Sequence, residues 1–336
     1  MIRAAIVGMG LWGQNLVRSV HDKSDLIRFT AGTTRSPEKA RDFAERHAIR
    51  LLDSYEAVLA DPSIDAIVLA TPHTQHTDQI VAAARAGKHV FSEKPMGLDR
   101  AQAQRAAVAC AQARVTLAIG YNWRYQPALQ KIRALIEDGT LGKVLHIEGN
   151  FCGPSAYRFP QGHWRHDRDE CPAGGMTGRG VHVVDAMIYL AGAVSQVTAQ
   201  SFRLAQDFGM DDTTSMLMRF KSGATGYLGT VVASAETWRM QVFGSRAWAE
   251  VGDIEHLHTW NLKVCRIDPE RITVKQQPEL ITFPDTSTER SELEHFAREV
   301  AAGRAMAQPD GDAVHNVAVF DAIKASIAQA QTVQVL

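Results

Sequence analysis

Lys94 stands between a glutamate and a proline in FSEKPMG (residues 91–97), directly after the apolar run KHVFS. Pro95 disfavours helix at Lys94 and holds it in an extended or turn conformation. A charged pair fixed on a stiff turn at a strand end is a poor solubilising device and a good way to aim an ammonium. A second stretch, GMGLWG, has the spacing GxGxxG over Gly8, Met9, Gly10, Leu11, Trp12 and Gly13. It follows one apolar β-rich run and precedes a helical pattern, the context that makes it informative. There Gly8 allows a tight turn, Gly10 lets backbone approach a pyrophosphate, and Gly13 lets helix and strand pack closely, with the helix N-terminus receiving the phosphate charge. At the end of the second strand an NAD site usually offers an acid to the ribose hydroxyls. The sequence offers Thr33, Thr34, Arg35 and Ser36 instead. No carboxylate is present, and Arg35 with its hydroxyl neighbours suits a 2′-phosphate, so NADP is favoured over NAD.

The elements that must position these groups follow from periodicity. Residues 1 to about 120 alternate short apolar runs (3–8, 26–33, 66–71, 88–92 and 115–120) with helical stretches such as 36–47, where Ser36 can cap and Pro37 suits the first turn. Alternation of this kind, with nearly continuous apolar strands, implies a parallel sheet covered on both faces, a doubly wound Rossmann fold. After residue 122 the rhythm changes. One helix (128–139) leads into strands of alternating polarity, with KSG as a hairpin signal, and helical patterns return at 289–303 and 313–330. The expected organisation is a dinucleotide-binding domain over 1–122 and a substrate-binding and oligomerisation domain over 123–336, an α+β domain with an open, mainly antiparallel sheet.

Composition excludes several classes. Among 336 residues, 36 Lys and Arg oppose 37 Asp and Glu, a formal charge of −1 that gives no footprint for nucleic acid or an anionic membrane. The four cysteines form no CxxC pair, and no His/Cys/Asp cluster has metal-ligand spacing. No apolar run approaches the roughly 20 residues that span a bilayer. The chain opens on a strand rather than a leader, so a cytoplasmic location is the expectation.

GxGxxG at 8–13, ATPHTQH at 70–76, EKP at 93–95, GYNWRYQP at 120–127 and GGMTGRGVHVVD at 174–185 together resemble the Gfo/Idh/MocA family of NAD(P)-dependent oxidoreductases, named for glucose–fructose oxidoreductase and inositol dehydrogenase. The likeness covers essentially the whole chain. It implies hydride transfer between nicotinamide and a secondary alcohol or ketone of a sugar, polyol, sugar acid or cyclic diol, without metal. It places Lys94 beside the reacting carbon, where an ammonium stabilises alkoxide charge. It makes His182 the proton-exchanging partner, with Asp185 three residues on to orient it and Arg179 on the same side of the helix. By the same resemblance Thr71, Pro72, His76, Glu93, Trp164 and Arg165 lie at the cofactor. Arg124 and Tyr157 join Arg179 and His182 at the substrate.

Two departures stand out. Gly178 occupies the position where many polyol-oxidising members carry an aspartate, and His73 replaces the usual asparagine of Thr-Pro-Asn. Gly178 keeps an alternative open, a non-catalytic nucleotide-binding regulator of the same fold. Arg124, Arg158, Arg165 and Arg179, with no aspartate at 178, point to an anionic substrate. The resemblance also implies a homodimer or homotetramer through the second sheet.

Overall fold

The computed structural model describes residues 1–336. The chain forms two compact units, one of Met1–Asn122 with Ser287–Val317, the other of Trp123–Thr286 with Ala318–Leu336.

The first unit holds β1 (Ile2–Val7), α1 (Leu11–Val20), β2 (Ile27–Thr33), α2 (Pro37–Arg46), β3 (Arg50–Leu51), α3 (Tyr55–Ala60), β4 (Ala66–Leu69), α4 (His76–Arg85), β5 (His89–Ser92), α5 (Arg100–Ala113) and β6 (Leu117–Ile119). The strands pair in parallel in the order β3-β2-β1-β4-β5-β6. This is the doubly wound order whose reversal beside β1 opens a crevice at the carboxyl ends. Local signals explain most boundaries. The Ser54 hydroxyl accepts from the Ala57 amide at 3.1 Å and the Asp99 carboxylate from the Gln102 amide at 2.8 Å, starting α3 and α5. Pro37 sits in the first turn of α2 as expected, but the Ser36 side chain makes no capping hydrogen bond.

The second unit contains α6 (Pro127–Glu137), β7 (Val144–Cys152), α7 (Ser155–Arg158), α8 (Val181–Ala191), β8 (Val194–Phe202), β9 (Thr213–Phe220), β10 (Thr225–Val231), β11 (Thr237–Gly244), β12 (Ala247–Asp253), β13 (Leu262–Arg266), β14 (Glu279–Ile281) and β15 (Val333–Gln334). Its nine strands run β14-β13-β12-β11-β7-β10-β9-β8-β15, antiparallel throughout except for β7 with β10. KSG forms the β9–β10 hairpin, closed by the Phe220 amide on the Ala224 carbonyl at 2.9 Å with Gly223 at φ 91°. Inward residues of β9 (Thr214, Met216, Met218, Phe220) are buried, while Leu217 and its cross-strand partner Tyr227 face outward, 60% and 41% exposed.

Two helices stand between β14 and β15, α9 (Thr288–Ala302) and α10 (Asp312–Gln329). Residues 287–317, read from sequence as part of the second domain, belong to the first unit. The physical reason is burial. Leu293, Phe296 and Ala297 of α9 complete the apolar cluster made by β1, α1, β2, α2 and Phe91, with the Phe91 and Phe296 rings 5.9 Å apart. Val314 and Val317 of α10 join the cluster on the opposite face, with α4 and α5.

Candidate active site

Within the first unit every loop at the carboxyl edge of the sheet is held in line by a backbone bond that extends the ladder past its strand. The Gly8 amide donates to Thr33 at 2.9 Å, Ala70 to Val7 at 2.8 Å, Glu93 to Leu69 at 2.9 Å and Gly120 to Ser92 at 2.9 Å. These bonds gather the glycine loop, the Thr34–Arg35 turn, the Thr71–Pro72 turn and the Glu93–Lys94 turn along one edge. The glycines differ in what they permit. Gly8 takes φ 94°, and a Cβ there would stand 2.4 Å from the Ala70 carbonyl oxygen; one at Gly13 would lie 2.0 Å from that of Gly8. At Gly10, the residue before α1, a Cβ would meet nothing within 4 Å. The space over Gly10 is thus free of protein and open to the first amides of α1, as a pyrophosphate requires. Arg35 is exposed beyond β2. Leu11 is exposed as well, whereas Met9 is buried beneath the loop.

Trp12 ties this loop to the lysine turn. Its indole N–H donates to Glu93 Oε1 at 2.5 Å. Gly120 keeps room for that carboxylate, since a Cβ there would lie 2.9 Å from the same oxygen. Burial pushes the Glu93 carboxyl up, against the Lys94 ammonium and the Trp12 hydrogen bond, which favour the charged form. The Lys94–Pro95 peptide is cis.

His76, expected at the cofactor, sits between the Thr71 turn and the lysine turn. It is fully buried, with Nδ1 2.7 Å from the Pro95 carbonyl oxygen and Nε2 3.0 Å from that of Thr71. Both ring nitrogens are occupied by backbone, so the residue staples the Thr71 turn to the lysine turn. The Thr71 hydroxyl donates to Gln79 at 2.6 Å, which fixes the same turn from α4.

In the second unit, GRGVHVVDAMIYLAG is not one regular helix. Met176–Gly180 form a π-helical turn that passes into α8 at Val181. Such turns are rare and concentrate at functional sites. Arg179 lies in that turn rather than one α-helical turn before His182. Its guanidinium donates to the Cys152 carbonyl at 2.8 Å and to Glu236 at 2.7 Å, over the Phe151 ring. Gly149 of β7 lets α8 approach closely, as a Cβ there would meet Val183 at 2.4 Å. His182 is buried and stacks on the Trp123 indole, centroids 5.8 Å apart and planes 21° apart. Trp123 in turn packs against Phe151, Trp238 and Trp260. A Cβ at Gly178 would meet nothing within 4 Å, so the missing side chain leaves open space.

Asp185, read as the orienter of His182, is fully buried and accepts from both Arg124 Nε at 2.7 Å and Nη2 at 2.8 Å. Arg124, read as a substrate contact, is committed to that bidentate pair and lies against Tyr189. Arg158 pairs with Glu236 at 3.2 Å, and Arg165 stacks on Trp164 with its guanidinium carbon 4.3 Å from the ring centroid. Tyr157 is exposed. Carboxylates thus take up three of the four arginines expected to confer positive charge. Sequence reading missed Glu236, Glu289 and Glu292. The last two stand three residues apart on α9 and are buried, a pairing that helical spacing alone could have marked. No group of three or more His, Cys, Asp or Glu could hold a metal ion, and no helix is long and apolar enough to cross a membrane.

Comparison with known proteins agrees with this construction. Residues 2–121 match the family model described as oxidoreductase family, NAD-binding Rossmann fold, and residues 129–250 match the GFO/IDH/MocA C-terminal domain. A trans-1,2-dihydrobenzene-1,2-diol dehydrogenase of Sus scrofa is 28% identical, over 75% of this chain and 74% of its own. A D-xylose 1-dehydrogenase (NADP(+)) of Haloferax volcanii is 30% identical, over 83% and 82%. Among solved structures, levoglucosan dehydrogenase in complex with NADH and L-sorbose shares the fold at a TM-score of 0.89, with 20% identity over 100% of this chain and 99% of that one. With both halves matched, and with a glycine loop that reserves the space a dinucleotide needs, the chain belongs to the Gfo/Idh/MocA family of oxidoreductases.

Proposed function

We propose that the protein is an NADP-preferring dehydrogenase or reductase that interconverts a secondary alcohol and its ketone on a sugar, polyol or cyclic diol. The observation that carries this reading is the hydrogen bond from Trp12 to Glu93, which joins the dinucleotide loop to the turn bearing Lys94. When bound, the nicotinamide gives or accepts hydride. Lys94 hydrogen-bonds the reacting oxygen and stabilises its developing negative charge, and His182 exchanges its proton with solvent or substrate. Trp123 fixes the His182 ring plane. Arg124 and Asp185 hold the helix that carries it, acting on the reaction through position. Arg35 takes the 2′-phosphate and the amides after Gly10 the pyrophosphate, while Trp164 and Arg165 serve the nicotinamide end. The D-xylose and dihydrobenzenediol dehydrogenases among the relatives support hydroxylated substrates of this size. Glu236 and Asp185 offset two of the three charges on Arg158, Arg179 and Arg124, so one positive charge is left over and a sugar acid stands beside neutral polyols as a substrate.

The test is turnover of a panel of polyols, aldoses, sugar acids and cyclic diols with each cofactor. Oxidation with NADP supports the reading. Tight cofactor binding with no turnover on any alcohol or ketone favours the regulator instead, for which the open space at Gly178 is the specific observation. We place the enzyme in the cytoplasm as a homodimer or homotetramer assembled through the outward face of the nine-stranded sheet, where Leu217 and Tyr227 are exposed side by side.

A further inference from the structure

His182 is delivered to its place at the start of α8 by the π-turn Met176–Gly180. Such a turn takes one residue more than an α-helical turn, so a regular helix over the same residues competes with it. Glycines make room for the turn, since a Cβ at Gly180 would stand 2.1 Å from the Met176 sulfur and one at Gly175 2.6 Å from Val232. Room is not attachment. The Thr177 hydroxyl donates to the Pro172 carbonyl at 2.6 Å, which ties the turn to its own lead-in. Arg179 ties it to the sheet. Its guanidinium, 14% exposed, donates through Nη1 to the Cys152 carbonyl at the end of β7 at 2.8 Å and to Glu236 Oε1 at 2.7 Å. Glu236 directly precedes β11, and its other oxygen accepts from Arg158 at 3.2 Å. Gly153 keeps the clearance this pair needs, as a Cβ there would lie 2.7 Å from both Arg179 Nη2 and Glu236 Oε2. The guanidinium carbon is 4.7 Å from the centroid of the Phe151 ring, Phe151 is 5.4 Å from Trp123, and Trp123 is 5.8 Å from His182. Arg179 therefore reaches His182 twice, along the backbone and through two aromatic rings.

We infer that Glu236 is a positioning residue for His182, which acts by anchoring Arg179 and so fixing the π-turn against the ends of β7 and β11. A guanidinium largely withdrawn from water is costly to leave without a charged partner. Without the carboxylate, Arg179 keeps the Cys152 carbonyl alone and is drawn outward to solvent, and the turn that carries it moves too. His182 follows, because it lies three residues on. The Phe151 ring also loses the cation held over it, and with it part of what fixes Trp123 against the imidazole. Neither Glu236 nor Arg179 has to touch substrate for this. The inference rests on the dehydrogenase reading only for what His182 does, since the anchoring stands without it.

Glu236→Gln, which keeps the shape and removes the charge, is the test, and two of its readouts need no substrate. Hydrogen exchange read by mass spectrometry should be about tenfold or more faster in peptides covering residues 176–184, the equivalent of one charge-assisted hydrogen bond, with peptides of β8 and β9 unchanged. The His182 ring protons, identified in the NMR spectrum by their loss in His182→Gln, should be shifted upfield by the Trp123 indole in the wild type. In Glu236→Gln they should move toward the position of an exposed histidine. Arg158→Ala leaves both Arg179 bonds in place and should match the wild type in both readouts. Wild-type exchange and ring shifts in Glu236→Gln would overturn the inference, as would equal effects from Arg158→Ala. Should Glu236→Gln not fold, Glu236→Asp draws the carboxylate back by one methylene and must show both changes in smaller measure; wild-type values there would be fatal. Where an alcohol is turned over, Glu236→Gln should lower kcat about tenfold with KM within about twofold, because a misplaced proton-exchange group acts on the transition state, and Glu236→Asp should recover part of the loss. A raised KM with unchanged kcat would make Glu236 a substrate contact and sink the positioning role. A chain with no turnover on any alcohol or ketone defeats the functional reading, and the exchange and ring shifts still decide this one.

Discussion

The proposed function gives Lys94, Arg35 and Asp185 charge for three different purposes, and substitution should separate them. Lys94→Ala removes the group proposed to stabilise the reacting oxygen and should lower kcat by about 10²–10⁴-fold with cofactor affinity nearly unchanged, measured by steady-state kinetics and fluorescence titration. Arg35→Ala should weaken NADPH about tenfold or more and leave NADH within about twofold, because charge-assisted hydrogen bonds contribute roughly 1.5–3 kcal/mol and only NADPH offers the phosphate. Equal losses for both cofactors would remove Arg35 from the site. Asp185→Asn leaves the Arg124 guanidinium without its carboxylate in a half-buried setting. Breaking a buried pair from one side costs about 3 kcal/mol, which urea unfolding would register. The sequence shows Asp185 and Arg124 as two separate polar residues 61 positions apart, and nothing local says that they meet.

At the scale of elements, the two glycines flanking the start of α1 should respond in opposite ways. Gly13→Ala drives a Cβ into the Gly8 carbonyl and should unfold or strongly destabilise the unit, whereas Gly10→Ala meets no protein atom. Gly10→Ala should therefore melt near the wild-type temperature while losing dinucleotide affinity, a split that calorimetry and titration read separately. The strand ends that bear this chemistry were legible because each is a short apolar run closed by glycine or proline, and local sequence decides such punctuation. The π-turn at Met176–Gly180 was not. Its residues have the same apolar spacing as a regular helix, and the deviation depends on Gly180 lying against Met176, where a Cβ would stand 2.1 Å from the sulfur. Helix α9 was legible as a helix but not as part of the first unit. Its stripe of Leu293, Phe296 and Ala297 would suit any apolar surface, and only the assembled sheet shows which one was left uncovered.

For the whole molecule, the outward face around Leu217 and Tyr227 predicts association. Light scattering at micromolar concentration should report a dimer or tetramer, and Leu217→Glu should shift it toward monomer; a monomeric wild type would refute the interface. The chain order carries a different consequence. The nucleotide-binding unit is interrupted after Asn122 and resumes only at Ser287. A ribosome adds about 5–20 residues per second, so on the order of ten seconds or more separates emergence of the glycine loop from emergence of α9. During that interval the surface awaiting Leu293 and Phe296 is bare, and a fragment ending at residue 122 would keep it so. A nascent chain released early would thus be an aggregation-prone client for chaperones.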